Sequence, residues 1–444
     1  MRQTKTEKLT LASNNQEEAR GLFHRALESQ AQGRLIEAET LYLRILSLIP
    51  DRVSVLSNLS SVLLQQKKYS EAVQYIDKVL ELSPDDDVAW LNKAIYQFHS
   101  QQLEDSLTSC DRALMIKPEW ADALSNRGLV LKALRRYEEA LNSCDRALAI
   151  EDYHVEALSN RGLVLLALGR HTEALASFDR ALSIRPGIPE ALHNRGDVLH
   201  ALGRDTDALQ SYKAALKAGG NRDDLHYYLA ALGEGAPPSA SPAHYVKALF
   251  DRYADRFDED LAALQYHAPQ LLFSAVSDGV PTRSLDIADL GCGTGLCGVV
   301  FRPLARTLTG VDISEGMLER ARQREVYDLL IREELTKFLH ARRASFDLLI
   351  AADVFIYVGD LEAIFEGARR ALRQGGQFAF SVETHEGAGF VLRPSRRYAH
   401  ALSYLRECAA KHQLVENRVQ PIALRHEFGH VIAGMIVVLS LVSD

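Results

Sequence analysis

The chain is poor in cysteine. Its five cysteines (Cys110, Cys144, Cys292, Cys297 and Cys408) are an odd number, with no ligand-type clustering beyond the one C-x4-C pair, Cys292 and Cys297. That scarcity excludes a disulfide framework and suits free thiols in a reducing compartment. An excess of positive charge is also missing: 51 Lys and Arg against 59 Asp and Glu leave a net charge of −8. Nothing then attracts a phosphate backbone at long range, and nucleic acid is not expected as a partner. The first twenty residues contain no apolar core of a signal peptide, and the one long apolar run, Val431 to Val442, is too short to span a bilayer and reads as a buried strand. A cytoplasmic protein without a membrane segment is expected. No metal is expected either, because His426 and His430 on a strand would not converge on one ion.

What is present is ordinary for a globular protein: 47% hydrophobic and 25% charged residues. A length of 444 residues exceeds what one core usually organises, so two domains are expected.

The first half repeats. Small residues stand at Ala38, Ala72, Ser106, Ala140, Ala174 and Ala208, each 34 after the last, and Pro50, Pro84, Pro118, Asp152, Pro186 and Gly220 form a second column of helix-ending residues. Within each unit lie two stretches of helical period, such as Ala123 to Leu134 and Tyr137 to Ile150, joined by a short turn holding Gly33, Gly169 or Gly203 in three units. The small column allows close helix approach, and Tyr42, Ile76, Cys110, Cys144, Phe178 and Tyr212 fill the core between repeats. In period, small-residue column and terminal proline these units resemble tetratricopeptide repeats over about residues 17 to 220, with Asp223 to Leu232 expected to cap the stack.

A further column, Asn58, Asn92, Asn126, Asn160 and Asn194, keeps the same period. In tetratricopeptide arrays this position faces the concave groove, where a ladder of amides can pair with an extended peptide backbone. The same amides can equally cement neighbouring repeats. The Asn126-Arg127-Gly128 and Asp145-Arg146-Ala147 strings point to ion pairs between repeats.

Residues 233–242, rich in Gly, Pro and Ser, read as a linker. Beyond it apolar strands (Ser284 to Leu290, Thr307 to Val311, Phe346 to Ala351, Gln377 to Val382) alternate with helical segments, which means a parallel sheet covered on both faces. The first strand runs through Asp289 into Gly291, Gly293 and Gly295, a turn whose backbone can approach a ligand closely. The second ends at Asp312, placed to accept hydrogen bonds from both hydroxyls of a ribose. From Gly293 the string also matches the dinucleotide G-x-G-x-x-G, so a nicotinamide oxidoreductase competes. The strand ends at Leu290, however, and the register is G-x-G-x-G preceded by an acid.

In that register the segment resembles motif I of class I S-adenosylmethionine-dependent methyltransferases, and other motifs follow in order. Asp312 to Leu318 resembles motif II, which implies Asp312 on the ribose and Ile313 and Met317 near the adenine. Glu334 stands where the family usually has an acid near the adenine amine. Phe346 to Val354 resembles motif IV and implies Asp353 beside the methionine moiety. Tandem repeats followed by such a domain resemble the tetratricopeptide-containing methyltransferases of bacteria, whose entry segment is similar to Tyr245 to Asp258; Tyr253 is then a candidate to close over the cofactor, or a core-facing aromatic.

The resemblance implies an all-α tetratricopeptide solenoid (17–232, six repeats plus a capping helix), a linker (233–242) and an α/β Rossmann-like methyltransferase domain (243–444). Methyl transfer is an in-line displacement with a good leaving group, so alignment dominates and a base is needed only for a protonated acceptor. Candidates for that base or for acceptor contacts are His385, Tyr398 and His400, with Tyr357, Arg397, Glu427 and His430 behind them. The expected function is methyl transfer from S-adenosyl-L-methionine to a protein or peptide docked on the array. The alternatives are a small-molecule methyltransferase with a partner on its repeats, a cofactor-binding scaffold without turnover, and an NAD-dependent oxidoreductase.

Overall fold

The structure, a computed structural model, describes the backbone of residues 2–427 and 430–442 and the side chains of residues 15–426 and 431–442. The chain divides into two compact units, Met1–Gly220 and Asn221–Asp444.

The first unit is six antiparallel helix pairs: α1 (Arg2–Ala31) with α2 (Leu35–Leu48), α3 (Val53–Gln65) with α4 (Tyr69–Leu82), α5 (Asp87–His99) with α6 (Leu103–Ile116), α7 (Ala121–Ala133) with α8 (Tyr137–Ile150), α9 (Val155–Ala167) with α10 (His171–Ile184), and α11 (Pro189–Ala201) with α12 (Asp205–Lys217). All six small-column residues and all six core-filling residues are fully buried. The turn inside each pair is left-handed at one residue, with φ between 60° and 72° at Gly33, Lys67, Gln101, Arg135, Gly169 and Gly203. Half of the repeats thus use glycine there and half hold a larger residue in a backbone shape that glycine adopts more cheaply. In the last two repeats a bulky core residue on the second helix faces glycine on the first: a Cβ on Gly162 would lie 2.7 Å from the Phe178 ring, and one on Gly196 would lie 2.4 Å from Tyr212.

The expected ion pairs between repeats are present as a repeating clamp. Arg127 on α7 donates to Asp111 of the preceding pair at 2.7 Å and to Ser143 of its own at 2.9 Å. Arg161 repeats this with Asp145 (2.7 Å) and Ser177 (2.8 Å), and Arg195 with Asp179 (2.5 Å) and Ser211 (3.4 Å). The aspartates are about half exposed, so each clamp sets register more than it adds stability.

The second unit begins earlier than the composition suggests. Helix α13 (Arg222–Ala231), expected to cap the array, belongs to it. The physical reason is Tyr227, fully buried, whose hydroxyl accepts from Ser241 Oγ at 2.9 Å and donates to the Arg396 carbonyl. The expected linker is a strap: the Ser239 carbonyl accepts from the N–H groups of Gly359 and Asp360 at 2.8 Å, and Ser241 N–H donates to the Tyr357 carbonyl at 2.9 Å. Glycine and proline here shape a segment pinned by backbone hydrogen bonds.

After α14 (Ala243–Tyr253), α15 (Phe257–Ala263) and α16 (Ala268–Val276), strands and helices alternate: β1 (Leu285–Leu290), α17 (Leu296–Phe301), β2 (Ala305–Asp312), α18 (Glu315–Gln323), β3 (Leu329–Arg332), α19 (Leu335–His340), β4 (Phe346–Ala351), α20 (Glu362–Ala371) and β5 (Leu372–Glu383). A short hairpin, β6 (Phe390–Leu392) and β7 (Tyr398–His400), and α21 (Leu402–Lys411) lead to β8 (Leu414–Glu427) and β9 (His430–Leu441). The main sheet has the order β3-β2-β1-β4-β5-β9-β8, parallel through β5 and antiparallel at β9 and β8. Strand order reverses between β1 and β4, which opens a crevice at their carboxyl ends, where ligands of such sheets bind.

Replacing Gly162 by Ala is expected to cost about 1–3 kcal/mol through overpacking against Phe178. Combined with Phe178→Cys, which gives the Ala and Cys present at Ala94 and Cys110, it is expected to cost less than the two single changes summed. Urea unfolding of the four proteins checks this, and strict additivity contradicts the proposed contact.

Candidate active site

Three alternate left-handed residues, Gly291 (φ 66°), Gly293 (φ 52°) and Gly295 (φ 92°), carry the chain off β1. Gly291 is also required by packing, since a Cβ there would lie 2.7 Å from Val354. Gly293 is different: a Cβ would meet nothing closer than the Phe257 ring at 3.8 Å, so the turn keeps an open floor on that side. Asp312, at the tip of β2, accepts from Gly293 N–H at 2.9 Å and from Ser314 N–H at 2.8 Å. Asp289 is buried beside it and accepts from the Tyr327 hydroxyl at 2.6 Å. Burial pushes the Asp289 carboxyl up to about 7, the neighbouring Asp312 adding and Tyr327 opposing; burial raises Asp312 too, while its backbone donors pull it back.

These residues line one cavity of about 940 Å³, at the upper end of the range for small-ligand sites. Its walls include Tyr253, Asp289, Gly291, Gly293, Asp312, Ile313, Glu334 and Asp353, which brings together most of the expected cofactor set. Glu334 caps α19, accepting from Thr336 N–H at 3.2 Å, and so stands at the β3 end of the cavity. Gly295 turns the chain without lining the cavity, and Met317 is fully buried in the core, away from it, because its helix is capped inward by Ser314 (3.1 Å to Met317 N–H). Cys292 and Cys297 are buried with thiols pushed up by desolvation, so they pack and do not react.

Asp353 has a left-handed backbone (φ 60°) although it is not glycine. Ser381 Oγ accepts its N–H at 2.8 Å and Arg425 grips Oδ2 at 2.8 Å; Arg425 also pairs with Glu383, which pairs with Arg393 at 2.8 Å. Burial raises the Asp353 carboxyl, with Arg425 opposing. Sequence reading missed this network because Arg425 follows buried Leu424: a bulge between Ala423 and Arg425 breaks the alternation of β8 and turns both inward.

The three proposed catalytic residues lie elsewhere. Tyr398 is fully buried and donates to the Pro238 carbonyl at 2.8 Å, tying down the strap. His400 is fully buried; its Nε2 lies 3.0 Å from the carbonyls of both Val358 and Gly359, and desolvation lowers it to about 4, so it is a neutral structural donor. His385 Nε2 faces the Gly389 carbonyl at 3.2 Å within its own turn. None of the three lines the cavity, whereas Tyr357 and Arg397 do, along with Tyr266, which the sequence did not single out. The side chains of Glu427 and His430 lie outside the described residues. Among the described residues no cluster of His, Cys, Asp or Glu is arranged for a metal ion.

The asparagine column is divided. Asn92 is buried and its amide donates to Ser60 (2.9 Å) and Ser61 (2.8 Å) of the preceding repeat; Asn160 donates to Ser125 at 3.0 Å. Asn126 bonds the Asp122 carbonyl of its own helix at 2.9 Å. Asn58 lies beside the Tyr42 hydroxyl, and Asn194 is half-buried. The column is largely mortar between and within repeats, because the groups one repeat back meet these donors first.

A folded chain that holds a proton on Asp289 up to about pH 7 is opposed by an unfolded chain that releases it near pH about 4. Stability is therefore expected to fall as pH rises through that window and to level off above it. Asp289→Asn should reduce this slope, by up to about 4 kcal/mol across the window. Denaturant midpoints for both proteins at about pH 5 and about pH 8 test it; parallel pH dependence in the two contradicts it.

Comparison with known proteins agrees with the geometry. A methyltransferase-domain model matches residues 288–380, and tetratricopeptide models match residues 10–87, 63–126, 121–187 and 153–219. Human methyltransferase-like protein 27 is 35% identical over 119 residues, 26% of this chain and 46% of that protein. The malonyl-[acyl-carrier protein] O-methyltransferase of Salmonella typhimurium is 28% identical over 173 residues, 38% of this chain and 66% of that one. The chain thus spans less than two thirds of either relative. A solved S-adenosylmethionine-dependent methyltransferase from Mesorhizobium loti is 22% identical, covering 38% of this chain and 96% of its own, with a TM-score of 0.32. The chain thus carries tetratricopeptide repeats followed by a sheet domain that matches the S-adenosylmethionine-dependent methyltransferase family.

Proposed function

We propose that the chain transfers a methyl group from S-adenosyl-L-methionine to a protein or peptide held on its repeat array. The observation that carries the catalytic half is the meeting of the glycine turn, both strand-end acids and Glu334 in one cavity large enough for a nucleoside cofactor and a second group. In this reading Asp312 holds the ribose hydroxyls, Ile313 and Glu334 flank the adenine, and Asp289, Asp353 and the open side of Gly293 face the methionine part. The cofactor supplies an electrophilic methyl group. The chain's own residues orient it, and the aromatic walls from Phe250, Tyr253, Phe257, Tyr266 and Tyr357 exclude water from the reacting atoms.

Support for a protein acceptor comes from the array. Tetratricopeptide repeats generally mediate protein–protein interaction. The first helices of successive pairs pack on one another (α3 on α5, α5 on α7, α7 on α9), which makes them the inner layer of the curve. Ile95, Leu129 and Leu163, 34 apart on that layer, are half-buried and form an apolar row where the asparagine amides are already satisfied. No helix of the described residues is long and apolar enough to cross a membrane.

Asp312→Ala is expected to weaken S-adenosylmethionine binding about 30-fold or more, the cost of losing a charged acceptor, while thermal unfolding of the array is unchanged. Calorimetry checks this, and wild-type affinity contradicts the ribose assignment. Leu129→Asp with Leu163→Asp is expected to leave that affinity alone and to lower labelled methyl transfer to the protein fraction of a lysate about tenfold. Unchanged transfer would move the acceptor off the array.

A further inference from the structure

The roof of the cavity is held in an unusual way. Helices α14 and α15 contribute Tyr245, Leu249, Phe250, Tyr253, Phe257 and Leu261 to the cavity wall, yet neither helix has a single fully buried side chain. Apolar packing of the roof is limited, with Phe250 edge-on to Tyr357 at 5.3 Å and Ala254 buried after α14. Three aspartates add to it. Asp251, Asp255 and Asp258, spaced at i, i+4 and i+7, point at the elements that shape the cofactor site. Asp251 Oδ1 accepts from Ser314 Oγ at 2.6 Å and from Gly316 N–H at 3.2 Å. Asp255 pairs with Arg320. Asp258 accepts from Thr294 Oγ1 at 2.5 Å and pairs with Arg324, whose Nε donates to the Thr294 carbonyl at 2.6 Å. Thr294 lies inside the glycine turn and Ser314 two residues past Asp312, so the latch grips both ligand-holding loops.

Both ends of the segment are anchored independently of the latch. Upstream, the Ser239–Ser241 strap is hydrogen-bonded to the loop after β4; downstream, the Leu264 carbonyl accepts from His426 N–H at 3.0 Å. The chain turns at Pro242, which precedes α14, and at Gln265, which is left-handed at φ 53°. Close approach at the middle depends on Gly316, where a Cβ would lie 3.3 Å from Asp251 Cα and 3.4 Å from Ala254 Cβ.

We propose that residues 243–263 form a lid hinged at Pro242 and Gln265, and that Asp251, Asp255 and Asp258 latch it, so that release of these contacts sets the rate of cofactor and product exchange. The inference rests on the cavity being the S-adenosylmethionine site. With the latch closed, Phe250, Tyr253 and Phe257 stand over the glycine turn in the cavity wall, so a ligand held there leaves more slowly than with the latch open. Two of the three contacts are exposed ion pairs, individually weak and screened by salt, which suits a latch that must open on every turnover.

The test uses the full chain and S-adenosylhomocysteine as probe, with association and dissociation followed by surface plasmon resonance. Asp255→Asn with Asp258→Asn should raise both rate constants about tenfold and leave Kd within about threefold, because a closed lid slows entry and exit alike. The wild-type rates should rise with added salt and those of the double variant should not. In the other direction, Ala254→Cys with Gly316→Cys places two Cβ atoms about 3.4 Å apart, close enough for a disulfide. The five native cysteines are buried and do not compete. Oxidised, this variant should exchange the probe at least about tenfold more slowly, and reductant should restore it. Wild-type exchange in the oxidised variant, or a Kd weakened through dissociation alone in the aspartate variant, overturns the lid. A wild-type chain that binds neither S-adenosylhomocysteine nor S-adenosylmethionine overturns the methyltransferase reading itself, and the lid's role with it.

Discussion

The second unit depends on one carboxylate. Asp312 accepts from Gly293 on one oxygen and from Ser314 on the other, and so ties the turn after β1 to the turn after β2. Three alternate left-handed glycines have no side chains with which to hold their shape, and the loop would otherwise sample many conformations at little cost. The parallel register that sets Leu290 beside Val311 delivers the acid to within reach, and the acid in return fixes the open floor at Gly293. A ligand that donates hydrogen bonds to Asp312 thus meets a group already oriented by backbone donors.

Acids at the two ends of the same sheet are treated differently. At the amino ends of the strands, Asp286 and Asp347 are neutralised by Arg306 and Arg373, which holds Asp286 well below the usual carboxylate range. At the carboxyl ends, Asp289 and Asp312 are held by a phenol and by backbone N–H groups, and burial raises both. One end is built for stability and the other carries the cost of an electrostatically poised site. The array works on a separate principle: a left-handed turn and an arginine clamp, repeated every 34 residues, fix each helix pair on its neighbour, and the fully buried columns supply the cohesion.

Much of this was legible in the residues. Period and glycine spacing are local signals, and they gave the helix pairs, the β1 turn and the acids at Asp289 and Asp312. Partnerships made across the fold were not legible. Tyr398 and His400 carry catalytic chemistry on paper, and only the strap at Pro238 and the carbonyls of Val358 and Gly359 show that both are committed to structure. The strap itself reads as a linker because glycine and proline mark loose and pinned segments alike. Arg425 was hidden by a bulge, Met317 by the inward cap of its helix, and the boundary at Gly220 by an amphipathic helix whose buried tyrosine finds its partners in the second unit. The short β3 at the sheet edge carries no strong apolar run and was not separated from its flanking turns.

The most direct measurement is calorimetric titration of the full chain with S-adenosylmethionine and, in parallel, with NADH, since the string from Gly293 also matches the dinucleotide G-x-G-x-x-G. Saturable binding of one S-adenosylmethionine per chain, with no heat from NADH, is the predicted result. Binding of NADH in its place, or of neither, would contradict the assignment of the glycine turn and Asp312 to a methyl-donor site.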